Sequence, residues 1–130
     1  MSLTAQQLVA QARAAITEID AERLRALHAA GVPVIDVREP GEYAAGHIAG
    51  AVNIPRGVLE FEVDGHPAVN CRKDAALGHR EQPVVLYCRT GGRSALAAEA
   101  LDRLGFSEPL SLAGGFLGWT DAGGTIEGTK

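Results

Sequence analysis

The chain has 130 residues, 16 acidic against 12 basic side chains and a formal charge of -4, which fits one compact domain burying roughly two-thirds of its unfolded surface. Mild acidity and the lack of any Lys/Arg block argue against nucleic acid as a partner, because phosphate binding needs a concentrated basic face. Met1-Ser2-Leu3-Thr4-Ala5-Gln6-Gln7 lacks the pattern of a signal peptide, no apolar run approaches membrane-spanning length, and two cysteines make no disulfide framework, so a cytoplasmic protein with no membrane partner is expected.

In chain order, Thr4 and Gln7 have the spacing of a capping box, and Leu8, Ala12, Ala15 and Ile16 recur at helical spacing, which predicts a first helix. Thr17-Glu18-Ile19 reads as a short strand. A second helix starts at Asp20 and stops at Gly31. Pro33-Val34-Ile35-Asp36-Val37 is a buried strand by its β-branched content, Glu39 to Ala45 a short helix, and Ala51-Val52-Asn53-Ile54 a third strand ended by Pro55. Residues 56–82 read ambiguously: Leu59, Phe61 and Val63 alternate as in a strand, whereas Ala75, Ala76 and Leu77 look helical. Pro83 to Tyr87 and Pro109 to Leu112 complete five strands, most separated by helical segments. This alternation predicts an α/β fold, a mostly parallel sheet covered by helices on both faces, with ligands at the C-terminal strand ends.

Two strand ends carry polar chemistry. Asp36 and Arg38 stand two apart at one, sharing a face and able to pair with each other or with loop amides. Cys88 stands at the other, followed by Arg89-Thr90-Gly91-Gly92-Arg93-Ser94, which opens an Ala- and Leu-rich helix. A strand that breaks into such a loop gathers backbone N–H groups and the positive end of a helix dipole around one point. The residue placed there is a potential thiolate. Making an ordinary thiol mostly anionic at neutral pH takes roughly 2.7 kcal/mol; a few converging amides, each worth roughly 1.5 to 3 kcal/mol, suffice. Gly91 and Gly92 suit a backbone that must turn its N–H groups inward.

Three ordered segments carry a family resemblance. They are Asp36-Val37-Arg38-Glu39-Pro40-Gly41-Glu42-Tyr43-Ala44-Ala45-Gly46-His47-Ile48-Ala49-Gly50-Ala51-Val52-Asn53-Ile54-Pro55; Tyr87-Cys88-Arg89-Thr90-Gly91-Gly92-Arg93-Ser94; and Leu112-Ala113-Gly114-Gly115-Phe116-Leu117-Gly118-Trp119. Together they resemble the single-domain rhodanese-like sulfurtransferases. The resemblance implies a five-stranded parallel α/β domain in which a cysteine accepts a sulfane sulfur as a persulfide and passes it to a nucleophile. Carried onto this chain, the persulfide cysteine is Cys88 and the amide cradle Arg89 through Ser94. Arg38 is a further candidate to meet an anionic donor.

The expected organisation is one domain: an N-terminal helical region 1–31, a rhodanese-like core 32–123 and a tail 124–130. The expected partners are a small-molecule sulfur donor such as thiosulfate and a thiol or cyanide acceptor, with a protein acceptor as a further option. No metal or organic cofactor is expected. His28, His47, His66 and His79 lack metal-ligand spacing, and His47 is expected to hold its loop rather than act as acid or base. Cys71 is expected simply to pack, against the sharper idea that it resolves a persulfide at Cys88. Trp119 and Phe116 are expected to bury the last helix, with Gly114-Gly115 bringing that end near the pocket.

Two rival functions share the scaffold. Phosphate or arsenate chemistry uses an arginine six positions after the cysteine; here that position is Ser94, and Arg93 arrives one residue early. A non-catalytic binding module is the other, and Cys88 in an intact loop weighs against it.

Overall fold

Thr4 starts the first helix as its pattern requires: its Oγ1 accepts from the Gln7 N–H at 3.1 Å while Gln7 Oε1 accepts from the Thr4 N–H at 2.8 Å. The computed structural model describes residues 2–128, so Met1 and the last two residues of the expected tail lie outside the described residues. Helix α1 (Ala5–Ala15) leads into β1 (Thr17–Ile19), and the Asp20 carboxylate caps α2 (Ala21–Ala29) by accepting from the Arg23 N–H. β2 (Val34–Asp36), α3 (Pro40–Ala45), β3 (His47–Ile48), β4 (Val52–Asn53) and α4 (Leu59–Glu62) follow. The chain then runs through β5 (Pro83–Tyr87), α5 (Gly92–Leu104), β6 (Glu108–Leu112), α6 (Gly115–Asp121) and β7 (Ile126–Glu127).

The five strands read from the sequence form one sheet in the order β1-β6-β5-β2-β4, with every neighbour parallel. Successive side chains of β5 face opposite sides. Val84 and Leu86 join Ile35, Leu59, Leu101 and Phe106 in one core, under α5. Val85 and Tyr87 join Leu24, Leu27, Leu112 and Trp119 in the other, under α2 and α6. Both faces being buried is why these strands are continuous apolar runs rather than alternating ones. Helix α1 lies against α5 on the outside. No helix among the described residues is long and apolar enough to cross a membrane.

Three features differ from the sequence reading. A second, antiparallel ribbon pairs β3 with β7 through His47 with Glu127 and Ile48 with Ile126, so the expected tail supplies a strand. Residues 59–63 are helical: Leu59 and Val63, four apart, are fully buried, whereas Phe61 is 88% exposed, which is the periodicity of one helical face. Ala75 and Ala76 form a turn rather than a helix, because the Asp74 side chain accepts from the Ala76 N–H at 2.8 Å and competes with helical bonding.

The register places the chemistry. Asp36 sits beside Tyr87 on the neighbouring strand, so the residues after both strand ends enter the same crevice. The helical reading of α4 is directly testable by chemical denaturation. Leu59→Ala should cost about 2 to 4 kcal/mol, whereas Phe61→Ser should change stability by less than about 0.5 kcal/mol.

Candidate active site

Cys88 follows the central strand β5 and is 1% exposed. Its Sγ accepts a hydrogen bond from the Gly91 N–H at 3.0 Å. Gly91 has φ +113, the left-handed conformation that reverses the chain and points this N–H back at the sulfur, and α5 begins at the next residue. The sulfur therefore sits at the N-terminus of a helix of 13 residues, where free amides and the dipole both favour negative charge.

The loop's carbonyls are bonded outward. Cys88 O accepts from the Phe116 N–H at 2.8 Å and Arg89 O from the Leu117 N–H at 3.2 Å. Helix α6 can approach this closely only through Gly115. With φ +57, a β-carbon on it would lie 2.6 Å from Cys88 O and from the Arg89 carbonyl. The Gly114-Gly115 turn thus brings the last helix to the loop, as expected. Trp119 is buried in the core, and Phe116 packs at its edge.

Arg38 is 4% exposed. It faces Asp36 with Nε and Nη2, the shortest contact being 2.8 Å, and Nη2 also donates to Gly46 O at 2.6 Å. Asn53 Nδ2 donates to the carbonyls of both Asp36 and Arg38. Both options open for this pair are used: the two side chains are bonded to each other, and Asp36 Oδ1 also accepts from the Arg38 backbone N–H at 2.9 Å. The guanidinium also lies 4.4 Å from the centre of the Phe116 ring. Tyr87 is fully buried, and its hydroxyl accepts from the Ile48 N–H at 3.0 Å. Burial, and then the Asp36 charge, push this phenol well above its ordinary pKa, so it stays neutral.

The remaining cradle residues separate. Arg89 and Thr90 are exposed. Arg93 turns to α3, where Nη1 and Nη2 bind Glu42 at 2.8 and 3.1 Å. Ser94 is buried, with Oγ donating to Gly91 O at 3.3 Å and sharing a hydrogen bond with Ser111 Oγ at 2.8 Å, so its hydroxyl anchors the loop to the sheet. Gly92, unlike Gly91, has ordinary backbone geometry, and a β-carbon there would merely touch Val9 at 3.8 Å.

The sequence reading missed Glu42, 51 positions from Arg93, and Arg13 of α1, whose Nη2 would lie 3.1 Å from a β-carbon on Gly91. No local signal marks either. His47 donates from Nδ1 to Tyr43 O and stacks on the Tyr43 ring at 3.7 Å. Cys71 is exposed rather than packed as expected, at the rim of a cavity with Val32, Pro33 and Pro83 at the N-terminal end of β2 and β5. It therefore lies at the opposite end of the sheet from Cys88, and both thiols are free.

The model of the Rhodanese-like domain family matches residues 20–122. The chain belongs to the rhodanese-like domain family. Its relatives include the thiosulfate sulfurtransferase GlpE of Pseudomonas entomophila, 37% identical over 112 residues that cover 85% of this chain and 92% of GlpE. The uncharacterized YqhL of Bacillus subtilis is 40% identical over 97 residues, or 75% of this chain, which spans 65% of YqhL's length. Among solved structures, the Rhodopseudomonas palustris protein RPA3614, of unknown function and described as a possible tyrosine phosphatase, superposes with a TM-score of 0.80 at 32% identity, covering 98% of this chain and 96% of that one.

The two loop glycines of this rhodanese-like domain should behave differently. Gly91→Ala should cost about 1 to 3 kcal/mol by urea unfolding and slow alkylation of Cys88 by iodoacetamide, whereas Gly92→Ala should cost less than about 1 kcal/mol. The Glu42 to Arg93 pair should show in pH dependence. The Arg93 hydrogen bond holds the Glu42 carboxyl down at about 2, below its ordinary 4.5. A carboxylate held low stabilises the fold fully above its unfolded value and loses that contribution as pH falls through the folded one. The stability gap between wild type and Glu42→Gln should therefore be full above about pH 4.5 and close toward pH 2. It should stay under about 1 kcal/mol, since both side chains are more than a third exposed to water.

Proposed function

We propose that the protein is a sulfurtransferase that carries sulfane sulfur as a persulfide on Cys88. The observation that carries this reading is the Gly91 N–H on Cys88 Sγ at 3.0 Å, at the mouth of α5. The Cys88 thiolate attacks the outer sulfur of a donor such as thiosulfate. A bond forms between Sγ and that sulfur, the donor's S–S bond breaks, and sulfite departs with its electron pair. The persulfide anion then lies where the thiolate lay, held by amides that needed no rearrangement. A thiol, cyanide or a protein nucleophile attacks the terminal sulfur, and the thiolate returns as leaving group. This is a ping-pong double displacement. In this reading Arg89 supplies positive potential at the entrance, and Thr90 to Ser94 supply backbone.

Phosphoryl chemistry is the second reading, prompted by the description attached to RPA3614. It needs an arginine clamped over the loop. Arg93 is instead bound to Glu42, and Ser94, six residues after Cys88, is buried against Ser111. A carrier of one sulfur atom needs only the amides.

Intact-mass spectrometry after incubation with thiosulfate should show a gain of one sulfur atom. The gain should reverse with cyanide or dithiothreitol and be absent in Cys88→Ser. Hydrolysis of an aryl phosphate without any sulfur adduct would support the phosphoryl reading instead.

A further inference from the structure

At the end of the sheet opposite Cys88, two adjoining cavities of about 390 and 230 Å³ share Val69, Cys71 and His79 as wall. The smaller is mostly apolar, with Pro33, Pro83 and Phe106 among its lining. The larger adds Arg72 and Asp74, one charge of each sign. Both carboxylate oxygens of Asp74 already accept from its own loop, at the Ala76 and Gly78 N–H groups. The paired cavities therefore suit a small uncharged molecule better than an ion.

His79 gives this place a chemical direction. Its side chain is 6% exposed. Nε2 meets Asp64 Oδ1 at 2.6 Å, and Asp64 lines neither cavity. Arg80 donates to both oxygens of the same carboxylate, and this hydrogen bonding holds Asp64 below its ordinary pKa. Asp64 is thus an ionised acceptor, and Nε2 carries the proton that faces it. Phe106 packs edge-on to the ring at 5.6 Å. The other ring nitrogen, Nδ1, is buried with no hydrogen-bond partner among the described residues. In the neutral ring it holds a lone pair, and a buried acceptor left unpaired is uncommon enough to call for a reason.

The free thiol of Cys71 shares both cavity walls with that ring. A carboxylate that orients an imidazole, an imidazole with a lone pair to spare and a thiol beside it are the parts of an activated nucleophile. Thiol and imidazole make no hydrogen bond to each other at rest. Such contacts commonly tighten only once a reactant is bound.

We propose that Cys71 is a second reactive thiol, at which the protein takes up a small uncharged organic disulfide, R–S–S–R, as a mixed disulfide, with His79 as base and R seated against Pro33, Pro83 and Phe106. The Cys71 proton passes to His79 Nδ1 while Sγ attacks one sulfur of the disulfide. A bond forms between Sγ and that sulfur, the original S–S bond breaks, and R–S⁻ leaves with the electron pair and takes the proton back from His79. Cys71 is oxidised, and half of the disulfide is reduced to R–SH. Nothing in this step uses Cys88, so its success or failure is separate from that of sulfur transfer.

The test incubates the protein with bis(2-hydroxyethyl) disulfide at neutral pH and follows the adduct on the Cys71 peptide by mass spectrometry. In the folded wild type the adduct should form at least about tenfold faster than in the same chain unfolded in urea, a modest figure for a positioned base. His79→Ala, its fold checked by circular dichroism, should lose that acceleration. Added imidazole should restore it in the variant and leave the wild type unchanged, a rescue that repair of a merely loosened loop would not give. Dithiothreitol should remove the adduct, and Cys71→Ser should form none at this position.

A folded wild type that reacts no faster than the unfolded chain overturns the proposal, and this comparison needs no variant to fold. Acceleration that persists in folded His79→Ala overturns it as well, since another group is then the base. So does an adduct that forms on Cys88 in preference to Cys71.

Discussion

A loop that holds an N–H on a buried sulfur, as Gly91 does at 3.0 Å, keeps its shape only if its own carbonyls are satisfied elsewhere, and that condition shapes this molecule. The carbonyls of Cys88 and Arg89 are taken by the first turn of α6, and the carbonyl of Gly91 by Ala95 and the Ser94 hydroxyl. Helix α6 is short, starting at Gly115 and ending at Asp121, yet it is pinned at depth by Trp119, whose indole N–H donates to Thr125 O. The loop that presents the Gly91 N–H to Cys88 is thus held by N–H donors from a third segment of chain. Preorganisation of this kind is worth more than the hydrogen bonds alone, since nothing must move when negative charge is present.

The arginines illustrate how neutralisation sorts function from architecture. A buried guanidinium pays heavily for lost water unless its partners are complete. Arg38 has two carboxylate oxygens, a carbonyl and an aromatic face. Its contribution is to tie the end of β2 to the turn at Gly46 and so hold α3 in place. Arg93 draws α3 toward the loop from the other side through Glu42. With those two bound, Arg89 stays exposed, with no ion pair or side-chain hydrogen bond among the described residues. The three arginines are close in sequence or space, but their charge balance differs completely.

The elements most legible in the sequence are those whose reason is local or periodic. Pro83 to Tyr87 reads as a strand because both of its faces are buried, and Thr4 with Gln7 announces α1 because the cap is a contact across three residues. Asp36 with Arg38 was readable as a pair for the same reason. The three quoted motifs, in order, carried the family. What escaped was non-local. The β3 to β7 ribbon joins residues 78 to 80 positions apart through two-residue strands too short to show a pattern. Residues 59–63 alternate in hydrophobicity, but Phe61 is exposed, so the apparent period of two that leaves the segment ambiguous in the sequence is one turn of helix. Gly91 and Gly92 looked equivalent, and only backbone geometry distinguishes them.

The dependence on backbone rather than side chains bears on what the site can host. A bound phosphate presents oxygens in several directions and needs donors above the loop as well as within it, which is the service a mobile guanidinium performs. The persulfide of the proposed reading would extend the cysteine by only one atom. In this chain α5 begins at Gly92, with Arg93 turned to α3 and Ser94 turned to the sheet. Once Glu42 has taken Arg93, returning that arginine to the loop would break a bidentate ion pair and leave Glu42 without its partner. The same contact that steadies α3 thus keeps the Arg93 guanidinium off the loop.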